Sequence, residues 1–167
     1  KTDMLTRMIC VEGIVTKTSL VRPKILRSVH YCPDGSQKYY YKDYVDMLSA
    51  SENTPPTSTS IPVANGKQEA LEFEYSTYVN FQTISIQEMP ERAPFGQLPR
   101  SVDVILDYDL VDTVKPGDRV RVFGTYKAIA PSAATLAGSF RTVIRCNNLE
   151  TINANTAGIT IDPATIK

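Results

Sequence analysis

The sequence predicts an all-β protein, folded as a Greek-key barrel. Five or six segments alternate apolar and polar residues with the period of two that half-buried strands require, and none has the periodicity of a helix of three turns. The strands are separated by a turn-rich insertion and by a long, proline-rich connection that we interpret as a crossing rather than a hairpin. These features favour a barrel of the oligonucleotide/oligosaccharide-binding (OB) type, with a β-sandwich as the alternative.

The first predicted strand covers residues 8–21, in which β-branched residues are frequent and Gly13 marks a bend or bulge. A second strand covers residues 24–32 after a turn at Arg22-Pro23, so we expect the two strands to form a hairpin. The mouth of this hairpin carries three cations, namely Lys17, Arg22 and Lys24. Such a cluster is either a solvated charged surface or a patch that contacts phosphates.

Residues 33–81 are predicted to form a small β-rich insertion between the second and third strands of the barrel, with a flexible loop. A Ser/Thr/Pro-rich stretch covers residues 49–62, and Asn65-Gly66 is a turn signal. The aromatic side chains of the insertion either stack on bases or form its small core, and we favour the core. These aromatic residues are Tyr39, Tyr41, Phe73, Tyr75 and Tyr78.

The chain after the insertion contains the remaining barrel strands. Alternating segments at residues 82–87 and 101–106 are joined by a stretch with Pro90, Pro94 and Pro99, which disfavour helix and predict an extended strut. Two further strands follow, joined by a small-residue hairpin near residues 128–139 whose flanks include Lys127 and Arg141. The predicted divisions are therefore a first barrel part (1–32), the insertion (33–81), a second barrel part (82–147) and a tail (148–167).

The composition is that of a globular domain, since 167 residues with 42% hydrophobic content suffice for a packed core. Eighteen basic and eighteen acidic residues give a formal net charge of zero, so binding to nucleic acid would depend on local clusters of cations. No apolar run approaches the ~20 residues that span a bilayer, and we expect no membrane contact. The three cysteines, at positions 10, 32 and 146, form no CxxC pair and fit reduced thiols inside a cell.

The sequence offers little for catalysis. The acidic stretch of residues 107–112 has no accompanying nucleophile, cofactor loop or histidine, and with residues 115–118 it fits a short helix or turn followed by a type II-like turn. A GxxxxGK[ST] loop is absent from the sequence, which excludes ATP hydrolysis by the P-loop route. We predict a protein without catalytic residues and without a cofactor.

Several sequence blocks resemble, in the same order, the N-terminal region of the minichromosome maintenance (MCM) replicative helicases. They are VEGIVTKTSLVRPKILRSVHYC (11–32), QEMPE (87–91), GQLPRSVDVIL (96–106) and DLVDTVKPGDRVRVFGTY (109–126). LVRPK followed by SVHYC is most similar to the subunit-3 paralogue of the eukaryotic heterohexamer. The resemblance implies an OB barrel, a nuclear location and a role in DNA replication. It also implies a non-catalytic fragment, without the helical N-terminal lobe and the motor of an ATP-dependent helicase subunit.

The resemblance implies binding to single-stranded DNA, with double-stranded DNA as a second ligand, and assembly with other MCM subunits into a heterohexamer. With the cation cluster it predicts six DNA-binding residues: Lys17, Arg22, Lys24, Arg100, Lys127 and Arg141. Ser85 departs from the family, which often has Arg at this position, and the hairpin near 128–139 corresponds to one that projects into the ring's channel. The alternative function is a protein–protein assembly collar of the hexamer with little direct DNA binding.

In the MCM family the insertion usually holds a zinc ion on four cysteines. Here His30 and Cys32 lie at its start, and residues 73–82 at its end contain neither Cys nor His. Two ligands cannot close a tetrahedral site, so we predict a degenerate, zinc-ribbon-like insertion without metal.

Overall fold

The structure is a computed structural model of the chain. It describes residues 2–31, 39–46, 48, 57, 63–64, 67–68, 70–72, 74–91, 96, 98–129 and 140–152. The strands are β1 (Met8–Thr18), β2 (Arg22–Tyr31), β3 (Tyr39–Asp43), β4 (Val63–Ala64), β5 (Lys67–Gln68), β6 (Ala70–Leu71), β7 (Thr77–Gln87), β8 (Ser101–Asp107), β9 (Arg119–Ile129) and β10 (Arg141–Thr151). Within these ranges the helices are the 3-10 turns Thr2–Met4 and Tyr108–Leu110, and no helix there could span a membrane.

Five strands close into a barrel. β1 pairs antiparallel with β9 on one side and with β7 on the other. β7 pairs antiparallel with β8, β8 pairs parallel with β10, and β10 returns antiparallel to β9. This ring, with one parallel pair, is the Greek-key order of an OB barrel, in which β1, β7, β8, β9 and β10 are the first to fifth strands. The predicted all-β OB fold is confirmed.

The barrel interior is filled by alternate side chains of these strands, as the period of two predicted. Because burial of one such side chain contributes about 1.5–3 kcal/mol, this cluster provides the main apolar stabilisation of the domain. Its buried members include Val15, Ile84, Ile86, Val104, Leu106, Val120, Val122 and Ile144.

Gly13 serves a close approach of two strands. A Cβ atom at this position would lie 2.5 Å from the carbonyl oxygen of Gln87 in β7, so glycine lets β1 cross near β7. The predicted bulge of this strand lies further along, between Val15 and Lys17, where the register with β7 shifts.

The insertion leaves the barrel between its first and second strands, β1 and β7, and not between the second and third as predicted. β2 pairs with the N-terminal half of β7, on the same edge that β1 occupies further along, while β3 and β6 pair with β2. The predicted hairpin of the first two strands is wrong, because Arg22 and Pro23 begin β2 opposite Phe81 and Asn80 instead of forming a turn.

The proline-rich connection is also different from the prediction. β7 and β8 are antiparallel neighbours, with Gln87 opposite Ser101, and the amide of Glu88 donates a 2.8 Å hydrogen bond to the carbonyl of Arg100. The connection therefore closes a long hairpin, and the crossing of the Greek key occurs at the parallel pair of β8 and β10. Residues 92–95 and 97, where part of the predicted strut lies, are outside the described residues.

The turn before β9 agrees with the prediction. Gly117 has a positive φ of 96°, which a type II turn requires at its third residue, and the amide of Asp118 donates to the carbonyl of Lys115. The preceding acidic stretch contains the 3-10 turn Tyr108–Leu110.

The tyrosines of the insertion do not form the predicted core. Tyr39, Tyr41, Tyr75 and Tyr78 are exposed, with Tyr41 68% exposed, while Phe73 lies outside the described residues. Two of these rings contact each other, since the centroids of Tyr39 and Tyr75 are 6.0 Å apart in an edge-to-face pair. Among the described residues, no second layer covers this face of β3, so the tyrosines remain at the surface.

Candidate nucleic-acid interface

The outward-pointing residues of β7 and β8 form one surface, which we call the outer face. OB barrels bind oligonucleotides on their second and third strands, which here are β7 and β8, and on the loops that flank them. Because Ile84, Ile86 and Val104 point into the barrel, the residues between them point out. The outer face consists of Phe81, Thr83, Ser85 and Gln87 on β7 and Ser101, Asp103, Ile105 and Asp107 on β8.

Two predicted cations lie along one edge of the outer face. Lys17 is opposite Ser85 and Arg22 is opposite Phe81, and both are exposed. The bulge after Val15 places Lys17 beside an outward residue of β7. Because β1 and β2 follow one another along the same edge, the two cations are separated by about 13 Å at the rise of an extended strand.

A carboxylate lies at the centre of the outer face. Ser85 Oγ donates a 2.6 Å hydrogen bond to Asp103 Oδ1, and Arg141 Nη2 contacts Asp103 Oδ2. The hydrogen bond from Ser85, together with Arg141 and the charge of Lys17, lowers the pKa of Asp103. Arg141, one of the six predicted DNA-binding residues, is therefore paired with a carboxylate of the same face.

Lys24 and Lys127 are held by the insertion. Lys24 Nζ forms an ion pair with Asp46, lies 4.0 Å from Asp107 Oδ1 and sits 5.5 Å from the centre of the Phe81 ring. Lys127 Nζ donates to the carbonyl oxygen of Leu48. Both lysines are half-buried, so these two predicted DNA contacts are occupied by protein groups.

Arg100 lies at the other end of the outer face, directly before β8, and is exposed. From Phe81, beside Arg22, to Gln87, near Arg100, the strand extends about 20 Å at 3.3 Å per residue. Arg100 also lines a cavity of about 340 Å³, together with Cys10 and Met89. Arg22, Lys17 and Arg100 therefore follow one another along the length of β7, the first two beside the strand and Arg100 beyond its end, next to β8. We call these three residues the row.

The predicted absence of zinc stays a prediction. His30 is buried and its Nε2 lies 2.7 Å from Ser28 Oγ, while Cys32 lies outside the described residues. Residues 130–139, where most of the predicted channel hairpin lies, are outside them as well. In the part of the chain that the structure describes, no group of three or more His, Cys, Asp or Glu side chains could hold a metal ion.

Sequence reasoning missed the contribution of Asp46 and Leu48 to this surface. Leu48 is 8% exposed and packs against the barrel. The apolar residues Val45, Met47 and Leu48 directly before the Ser/Thr/Pro-rich stretch were the available signal, but the partner strand of Leu48 could not be read from the sequence.

Residues 1–130 match the protein-family model described as "MCM OB domain". The chain belongs to the MCM OB-domain family. This membership confirms the resemblance that the sequence blocks carried.

Curated relatives of this MCM OB domain are similar over most of its length. Maternal DNA replication licensing factor mcm3 of Xenopus laevis is 48% identical over 158 residues, which cover 93% of the chain and 19% of the relative. DNA replication licensing factor MCM3 of Gallus gallus is 54% identical over 143 residues (84% of the chain and 17% of the relative). The Schizosaccharomyces pombe protein of that name is 47% identical over 151 residues (87% and 17%). The chain thus spans less than a fifth of the length of these relatives.

Proposed function

We propose that this MCM OB domain binds single-stranded DNA along the outer face, as the DNA-facing part of a replication licensing factor subunit that works in the nucleus. The row of Arg22, Lys17 and Arg100 is the observation that carries the proposal. All three side chains are exposed, and the row of about 20 Å is long enough for a short oligonucleotide of the ~4 nucleotides that one OB fold can hold.

The chemistry of the row favours contacts to the phosphate backbone. Thr83 and Gln87 lie between the cations and can donate hydrogen bonds to phosphate or sugar oxygens, whereas the hydroxyl of Ser85 donates to Asp103. Phe81, the aromatic residue of the outer face, is half-buried under Lys24. We therefore expect binding that depends strongly on salt and weakly on base sequence. Double-stranded DNA offers the same phosphates and is a second ligand of this surface.

The alternative role, an assembly collar that docks other MCM subunits of a heterohexamer, is favoured by the exposed tyrosines Tyr39, Tyr41 and Tyr75. Aromatic side chains are enriched at protein interfaces, and a net charge of zero does not attract DNA over long range. The two roles use different surfaces and are compatible. In either role the domain contributes no catalytic residue, and ATP hydrolysis belongs to a region outside it.

The test is a triple substitution, Lys17→Ala, Arg22→Ala and Arg100→Ala, in which affinity for a thymidine oligonucleotide is measured by fluorescence anisotropy over a range of salt. Each lost phosphate contact lowers the log–log salt slope by ~0.7, so we expect weaker binding and a slope smaller by about 2.

A matched control removes three exposed cations outside the outer face, Arg7, Lys115 and Arg119. We expect this variant to keep most of its affinity. Equal losses in both triple variants would indicate non-specific attraction, and an unchanged slope in the first, with the fold intact, would leave the assembly role alone.

A further inference from the structure

Part of the outer face is covered by residues of the insertion that follow β3. Leu48 packs on Ile105 and Val143, with Phe81 and Ile129 at the edge of the same apolar cluster. This cluster lies outside the barrel, since β8 and β10 direct Val104 and Ile144 to the interior. We call Tyr44, Val45, Asp46 and Leu48 the docked residues.

Polar contacts fix the docked residues in place. Asp46 forms an ion pair with Lys24, and Lys127 donates to the carbonyl oxygen of Leu48. The amide of Tyr44 donates a 2.8 Å hydrogen bond to the carbonyl of Leu26. The backbone of Val45 and that of Thr57 are also joined, by a 2.8 Å bond from the amide of Thr57.

The groups beneath the docked residues are of the kinds that contact a nucleotide of single-stranded DNA. Lys24 and Lys127 are cations that can contact phosphates, and Phe81 is an aromatic ring on which a base can stack. Arg145 adds a third cation, with its Nε 3.6 Å from the carboxylate of Asp107. Without Asp46, the ion pairs that the described residues provide for these three cations are those of Lys24 and Arg145 with the carboxylate of Asp107.

The docked residues satisfy these groups with protein equivalents of a nucleotide. The carboxylate of Asp46 contacts Lys24 and the carbonyl oxygen of Leu48 contacts Lys127, as the phosphate oxygens of a bound strand would. The Leu48 side chain lies on the apolar surface beside Phe81, where a base would otherwise contact it. The exposed row of Lys17, Arg22 and Arg100 has no such cover among the described residues.

We propose that Lys24, Phe81, Lys127 and Arg145 form a second subsite for single-stranded DNA, which the docked residues occupy. This inference rests on the proposed function, because it extends the same face. The covered subsite restricts a bound strand to the exposed row, and displacement of Leu48 extends the binding site across β8 towards β10.

The test combines Leu48→Ser with lysine footprinting, in which an acetylating reagent and mass spectrometry report the reactivity of each amine, with and without a thymidine oligonucleotide. Without DNA, we expect Lys24 and Lys127 to become several-fold more reactive in the variant, while Lys17 is unchanged. With DNA, Lys17 is protected in both proteins, whereas Lys24 and Lys127 gain protection by DNA only in the variant. The salt slope of the variant rises by about 1.4, since two phosphate contacts of ~0.7 are added.

Tyr41→Ser is the matched control, because Tyr41 belongs to the same insertion and is exposed. We expect this substitution to leave the reactivity of both Lys24 and Lys127 unchanged. Asp46→Asn is a milder second variant that keeps the apolar contact and should expose Lys24 more than Lys127. A Leu48→Ser protein that also carries Lys24→Ala and Lys127→Ala should return to the wild-type slope.

The outcomes separate the two proposals. If Lys17 is not protected by DNA in any protein, the proposed function fails. If Lys17 is protected, and Lys24 and Lys127 become reactive in the variant without protection by DNA, the second subsite is overturned. Unchanged reactivity of both lysines in Leu48→Ser and in Asp46→Asn overturns it as well, because the docked residues then do not cover these amines.

Discussion

Ser85 donates its hydroxyl proton to Asp103 across the pair of β7 and β8, with 2.6 Å between the two oxygens. The bond holds a carboxylate between Lys17 and Arg141, in the middle of the face that is proposed to bind DNA. Asp103 therefore has two opposing effects. It orders the neighbouring cations, and its negative charge repels a phosphate.

Asp103→Asn should strengthen binding to single-stranded DNA. The amide keeps a hydrogen-bond acceptor for Ser85 but releases Arg141 from its ion pair, so we expect the log–log salt slope to rise by about 0.7. Anisotropy titrations at several salt concentrations measure this change. Asp109→Asn, which removes an exposed carboxylate outside the outer face, is the control and should have little effect. Weaker binding of Asp103→Asn would show that Asp103 mainly orders the cations.

Gly124→Ala should destabilise the barrel. A Cβ atom at this position in β9 would lie 2.7 Å from Ile144 Cγ2 and would also clash with the backbone carbonyl of Arg145. Because the backbone of β10 cannot move without breaking its ladder, we expect a loss of about 1–3 kcal/mol in the free energy of unfolding. Urea denaturation measures it. Thr125→Ala, the next residue on the strand, serves as the control, and equal losses in both would contradict the steric explanation.

Cys10 and Cys146 should differ strongly in reactivity. Cys10 is exposed, whereas burial raises the pKa of the Cys146 thiol to about 11. At pH 8 about one Cys146 thiol in a thousand is then ionised, and the thiolate is the reactive form. With iodoacetamide and peptide mass spectrometry, we expect labelling of Cys10 in the native protein and of Cys146 only after denaturation. Comparable native labelling of both would mean that β10 opens readily.

Alternation along the strands predicted much of the barrel. Ile84, Ile86, Val120 and Val122 repeat with a period of two, and the structure buries all four. The pairing of the strands was harder to predict. Pro23 suggested a turn between the first two strands, but a proline is also tolerated at the beginning of a strand. Only the pairing with β7 decides whether Pro23 lies in a turn or in a strand.

The candidate site was predicted only in part, because the pairing of distant segments could not be read from the sequence. Lys17, Arg22 and Arg100 are exposed in one row, although the hairpin that was expected to group the first two does not exist. Lys24 and Lys127 were counted as DNA contacts because of their charge and local position. Their engagement with Asp46 and Leu48 depends on how a distant segment packs on the barrel, and no local pattern encodes that.

The order of β1 and β2 along one edge of β7 has a consequence for folding kinetics. Closing the barrel brings Ile14 beside Gln87. If the chain between these two residues is an unstructured loop, its closure has an entropic cost that grows by about 0.6 kcal/mol with each doubling of the loop length. When β2 pairs with β7 first, Arg22 lies opposite Phe81, and only residues 19–21 separate it from β1. The insertion thereby shortens the search for the last pairing of the ring, so the folding rate of the barrel should be set by how early β2 finds β7.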